Sequence, residues 1–143
     1  MNQKDVVISS ALVLGVYEPF QIEVFRSLVD SGMAVVDIGA NVGLYTVIAA
    51  KKARKVFSFE PESENFILLN KNVWENGLQN VQTFQKAVAD REGVQEFFIS
   101  DNNKGSHSLF TPPDTFEKGV VETISLDIWA EQNEVDKIDL IKI

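Results

Sequence analysis

The feature that most constrains this chain is a regular alternation. Short apolar segments, MAVVDIG, KVFSFE and NVQTFQKAV, are separated by LYTVIAAKKARK and PESENFILLNKNVWENG, which repeat at helical spacing. The first of these apolar runs is continuous, branched and closed by Asp37 and Gly39, which fits a strand covered on both faces. Strand, helix, strand, helix, strand is the order that builds a parallel, doubly wound sheet, so the expected fold class is α/β. Such sheets take ligands in the crevice beyond the carboxyl ends of their strands. The strand ends to watch are therefore residues 37–39, Glu60 and residues 87–90.

Length and charge narrow the functions. A chain of 143 residues suits one domain with a real core. Its 13 Lys and Arg against 21 Asp and Glu leave a net charge of −8, which argues against non-specific nucleic-acid binding. With no cysteine there is no disulfide, thiolate metal site or cysteine nucleophile, and the lone His107 rules out a multi-histidine site, so no metal is expected. The apolar run VVISSALVLGV, residues 6–16, is too short to cross a bilayer and lacks a small-x-small cleavage signal. It reads as a core strand or strand pair, with no membrane partner and a cytoplasmic location.

Local signals place the remaining elements. In YEPFQIEVFRSLVDSG, Phe20, Val24 and Leu28 run beside Ile22, Phe25 and Val29 at helical spacing, with Gly32 as the stop. The helix expected after Gly43 ends in Lys51, Lys52, Arg54 and Lys55, cations that complement the negative end of its dipole. The next helix is expected to have Pro61 at its first position, Glu62 and Glu64 in its first turn, and Gly77 past its end. Its core stripe is Phe66, Leu69 and Val73, and Trp74 and Trp129 read as packing residues. NVQTFQKAV is read as one strand. VQEFFIS and VVETISL are read as a strand pair around a polar loop, residues 101–118. A short helix over residues 127–132 and a last strand, KIDLIKI, complete the pattern.

The strand ends describe a ligand. Gly39 permits a tight turn and close approach to backbone, and the helix that follows offers free N–H groups to an anionic tail. Glu60 lies about 20 residues after Asp37, the spacing at which dinucleotide folds set an acid against a ribose. GANVG lacks the middle glycine that a pyrophosphate demands. S-adenosylmethionine has only a carboxylate and an amine in its tail, so a looser turn suffices, and Asp37 can organise the amine side. Simpler roles compete: Asp37 capping the next helix, Asn41 as its N-cap, Glu60 as a solvated first-turn acid, and His107 as an exposed loop residue rather than a general base.

Six segments in order, VVDIGANVGLYTVIAA, VFSFEP, NVQTFQKAVAD, GSHSLF, VETISLD and IDLIKI, resemble the FkbM-type S-adenosylmethionine-dependent methyltransferases. The resemblance implies a Rossmann-like class I methyltransferase fold. Residues 1–143 would form one cofactor-binding domain, with residues 1–32 leading and residues 33–143 as its core. It implies methyl transfer to a hydroxyl of a small molecule or sugar. By position, Asp37, Gly39, Ala40, Asn41 and Gly43 match the first cofactor motif and Glu60 the acid on the ribose. Ala87 and Val88 match the segment near the adenine, and Ser106 and Ser108 a polar loop by the active site. The family continues beyond IKI with an aspartate that this sequence does not reach, so the sheet is expected to be incomplete after its fourth core strand. No catalytic residue is assigned. The alternative is a non-catalytic nucleoside-binding or assembly module, and an apolar edge at residues 137–143 is expected to self-associate.

Overall fold

A computed structural model describes residues 19–99 and 117–143. In chain order the elements are α1 (Pro19–Leu28), β1 (Ala34–Ile38), α2 (Leu44–Ala50), β2 (Lys55–Phe59), α3 (Ser63–Glu75) and β3 (Val81–Phe84), then β4 (Ala87–Val88), β5 (Gly93–Ile99), β6 (Glu117–Ile124), α4 (Leu126–Gln132) and β7 (Leu140–Lys142). β3, β2, β1 and β7 form a parallel sheet in that order. This is the expected α/β, Rossmann-like arrangement. A second, smaller sheet has the order β4-β6-β5, in which the expected strand pair, β5 and β6, is antiparallel and β4 joins β6.

Alternation along the strands sorts the core into two layers. Val35 and Val56 face α1 and α2, where they pack with Phe25, Val29, Ala49, Ala50 and Ala53. Ala34, Val36, Phe57 and Phe59 face the other way, onto Ile124 and Trp129. The Trp129 ring meets Phe57, Phe59 and Phe84 edge-on at centroid distances of 4.8, 5.1 and 5.4 Å. Ser125 caps α4 by accepting the Ile128 N–H at 3.3 Å, which fixes the helix that carries Trp129.

Several local expectations are corrected. The run NVQTFQKAV is two strands, because the chain leaves the large sheet after Phe84 and Ala87–Val88 pairs with β6 instead. α2 stops at Ala50, so the four cations lie at and beyond its end rather than within it. Pro61 precedes α3 instead of starting it. Glu62 is the N-cap, its carboxylate accepting the Glu64 and Asn65 N–H groups at 3.0 and 2.7 Å. In α1 only the Phe25 and Val29 side is buried, and Phe20, Val24 and Leu28 are exposed. That helix also ends before Gly32, at Leu28. Trp129 is a core residue, but Trp74 is 80% exposed and is not a packing residue within the described chain. β7 covers only the last part of KIDLIKI. The apolar run at residues 6–16 and the polar loop with Ser106, His107 and Ser108 lie outside the described residues.

Candidate functional site

The register of the parallel sheet sets Asp37 beside Ser58 on one side and Lys142 on the other. All three side chains share the face of α2. Asp37 is 0% exposed. Its Oδ2 accepts the Thr46 hydroxyl at 2.7 Å, and the Thr46 and Ser58 hydroxyls lie 2.8 Å apart. The Thr46 backbone N–H, in the first turn of α2, also donates to Asp37. Asp37 thus supports the first turn of α2 from inside a strand without being its N-cap residue. Its Oδ1 makes no hydrogen bond among the described residues and is met by Lys142 Nζ at 3.5 Å. That ammonium also sits 4.9 Å over the Tyr45 ring. Burial pushes the Asp37 carboxyl above its ordinary value, and Lys142 and Thr46 act against that rise.

Beyond β1 the chain turns back over the end of β2. The Gly39 and Ala40 N–H groups both donate to the Phe59 carbonyl at 2.9 Å, and the Glu60 N–H donates to the Phe84 carbonyl at 3.0 Å. Glu60 is buried at this corner. Its Oε2 accepts the Asn41 N–H at 2.7 Å and its Oε1 the Glu62 N–H at 2.9 Å, while the Asn65 side chain donates as well. Glu60 is thus an organising acid rather than a solvated one. Of the roughly four acceptor positions of a carboxylate, three are engaged. Desolvation raises its pKa, opposed by the donors from Glu62 and Asn41.

The two glycines of the turn do different work. Gly39 has φ 69°, and a Cβ built on it meets no atom within 4 Å, so the backbone there faces open space. Gly43 has φ 91°, and its Cβ would lie 2.6 Å from Leu69 Cδ1. Gly43 is favoured first by its positive φ and then by the Leu69 methyl packed against it, and it serves as the N-cap of α2. Asn41 is not that cap. It sits in the left-handed region at φ 53°, its Oδ1 accepting the Val42 N–H at 2.7 Å.

The structure thus brings Asp37, Gly39, Ala40, Asn41, Gly43 and Glu60 to one corner. Ala87 and Val88 stand apart in β4: Ala87 is buried beside Thr123, and Val88 packs toward the aromatic layer. Between α3 and β6, a shallow groove is lined by Pro61, Glu62, Ser63, Gln85 and residues 119–121. Sequence reasoning missed Thr46, Ser58, Lys142 and Asn65, which meet Asp37, Thr46 and Glu60 only through the register of the sheet and the packing of its helices. The D-x-G spacing found the turn but carried no sign of them.

No helix among the described residues is long and apolar enough to cross a membrane. A family profile described as Methyltransferase FkbM domain matches residues 37–143. No curated protein matches the chain significantly. Solved structures that match part of the chain include an rRNA methylase from Streptococcus thermophilus, with 18% identity, TM-score 0.45 and coverage of 48% of this chain and 41% of that one. A dimethyladenosine transferase from Plasmodium falciparum has 20% identity, TM-score 0.47 and coverage of 51% and 27%. TYW2 from M. jannaschii, in complex with AdoMet, has 20% identity, TM-score 0.43 and coverage of 59% and 33%. The chain spans less than half the length of each of these proteins.

Proposed function

The chain belongs to the Methyltransferase FkbM domain family, and on that premise we propose that it is a methyltransferase whose β1–β2 corner holds S-adenosylmethionine. The observation that carries this reading is the pairing of an open cradle at Gly39 with the buried Glu60 carboxylate beside it. The residues fit the cofactor. Gly39 and Ala40 let its tail approach backbone, and the acceptor position left on Glu60 takes a ribose hydroxyl. The groove beside Pro61 and Gln85 would be available to the base, and β4, with Ala87 and Val88, pairs with the strand that lines it. Asp37, being enclosed, acts through α2 rather than by touching the ligand. When bound, the cofactor supplies an electrophilic methyl group, and the protein supplies orientation. Alignment of this kind is worth on the order of 7–11 kcal/mol for well-placed reactants. The acceptor we favour is a hydroxyl of a small molecule or sugar, since a net charge of −8 disfavours a polyanion.

Titration of the chain with S-adenosylmethionine, S-adenosylhomocysteine and NAD tests the cofactor. The first two should bind and raise the melting temperature, and NAD should not. Equal stabilisation by NAD, or none by any of them in a folded chain, would sink the reading. Glu60→Ala should weaken binding by roughly tenfold or more, the scale of one hydrogen bond to a charged group. Labelled methyl transfer to a panel of polyols and sugars tests the acceptor. Binding without turnover on any acceptor would leave the nucleoside-binding module instead. Among the described residues β7 borders the large sheet, with Ile141 and Ile143 exposed. That supports self-association through residues 137–143, and a sedimentation coefficient independent of concentration would count against it.

A further inference from the structure

We propose that Asn72, in the middle of α3, is a positioning residue for the cofactor loop. This inference rests on the cofactor reading above and assigns a function to a side chain that reading does not use. Asn72 Nδ2 donates to the Val42 carbonyl at 2.7 Å, across 30 residues of sequence. A peptide group is planar, so the direction of the Val42 carbonyl also sets the direction of the Gly43 N–H. That N–H donates to the Ala40 carbonyl at 2.8 Å and closes the turn. On the other side of the turn, Glu60 holds the Asn41 N–H and so fixes the peptide plane between Ala40 and Asn41. The two clamped planes bracket the left-handed Asn41, and the second leads into Gly43, also at positive φ. A non-glycine residue keeps such a conformation only where its surroundings over-determine it.

The same helix supplies all three supports from one stripe. Asn65, Leu69 and Asn72 are spaced four and three residues apart, which puts them on one face of α3. Asn65 donates to Glu60, Leu69 fills the space beside Gly43, and Asn72 holds Val42. α3 thus meets the loop with a polar, apolar, polar row, in which Asn72 bonds directly to loop backbone. Without it the Val42–Gly43 plane keeps only the Gly43 N–H bond to the Ala40 carbonyl, and the turn that leads from Gly39 into α2 is less tightly held.

Asn80 provides the control. Its Nδ2 also bonds two carbonyls, Ala50 and Ala53 at 2.9 Å each, but these lie at the far end of α2. Asn72→Ala and the near-isosteric Asn72→Asp, which loses the donor, should each lower S-adenosylhomocysteine affinity by about three- to tenfold in calorimetric titration. Asn80→Ala should lower the melting temperature at least as much and leave the affinity unchanged. Amide exchange in the ligand-free protein should quicken at Val42 and Gly43 in the two Asn72 variants and not in Asn80→Ala. Unchanged affinity in both Asn72 variants, or an equal loss in Asn80→Ala, would overturn the assignment. A wild-type chain that binds neither S-adenosylmethionine nor S-adenosylhomocysteine would overturn the cofactor reading. The exchange data would then still decide whether Asn72 holds the loop, since unchanged rates at Val42 and Gly43 refute it.

Discussion

The two faces of the large sheet are built from alternate residues of the same strands, yet they end differently. Toward α4 the residues stay apolar to the carboxyl ends: Val36, Phe57, Phe59 and Phe84 close around Trp129. Toward α2 the strands begin apolar, with Val35, Val56 and Leu140, and turn polar two residues later at Asp37, Ser58 and Lys142. One face is a dry support. The other gives up apolar burial at its end and gains fixed polar groups beneath the ligand turn. Burying Asp37 there has a cost, visible in its raised pKa, and the hydroxyl of Thr46 and the ammonium of Lys142 offset part of it.

The largest expected effect lies on the dry face. Trp129→Ala should cost about 3–5 kcal/mol, the range for deleting a buried aromatic ring, measured by denaturant unfolding. The folded fraction should keep its S-adenosylhomocysteine affinity, and a large affinity loss would break the division of labour between the faces. Gly43→Ala comes next, at roughly 1–3 kcal/mol from overpacking against Leu69 and a positive φ. Here affinity should fall together with stability. In a Leu69→Ala background the added cost of Gly43→Ala should shrink only by the steric share, and its complete disappearance there would show that the backbone angle is not strained.

The smallest effect is one of pH. Asp37 and Glu60 are raised above their ordinary values of 3.8 and 4.5. Each binds its proton more tightly when folded. The stability it contributes is therefore fully present below the unfolded value and is lost as pH rises through the raised folded value. Asp37→Asn should flatten that decline in denaturant midpoints followed upward from about pH 4. Trp129→Ala should shift the whole profile down without changing its slope. Parallel profiles for wild type and Asp37→Asn would show that burial of Asp37 carries no linkage.

Much of the fold was legible because its causes are local. Branched apolar runs and helical spacing located β1, β2, α2 and α3, and the acid at Glu60 was found from its distance along the chain. What misled was local reasoning applied to contacts that are not local. Phe20, Val24 and Leu28 repeat at helical spacing as well as Phe25 and Val29 do, and only packing on α2 decides which side is buried. NVQTFQKAV has the composition of one strand, and the break after Phe84 exists because β6 competes for Ala87 and Val88. Pro61 suits a helix start in isolation, but the Glu62 carboxylate takes the cap.

The sequence by itself determined the order of elements, the polarity of each strand end and the glycines at the turn. These follow from spacing, branching and backbone freedom, which are properties of neighbouring residues. Only the tertiary structure decided what the site residues do. Parallel register joined Asp37 to Lys142, and the approach of α3 made Gly43 a packing residue and Asn72 a clamp on Val42. Hydrogen bonds between groups far apart in the chain leave no period or spacing to read, because their geometry exists only once the sheet and its helices have packed.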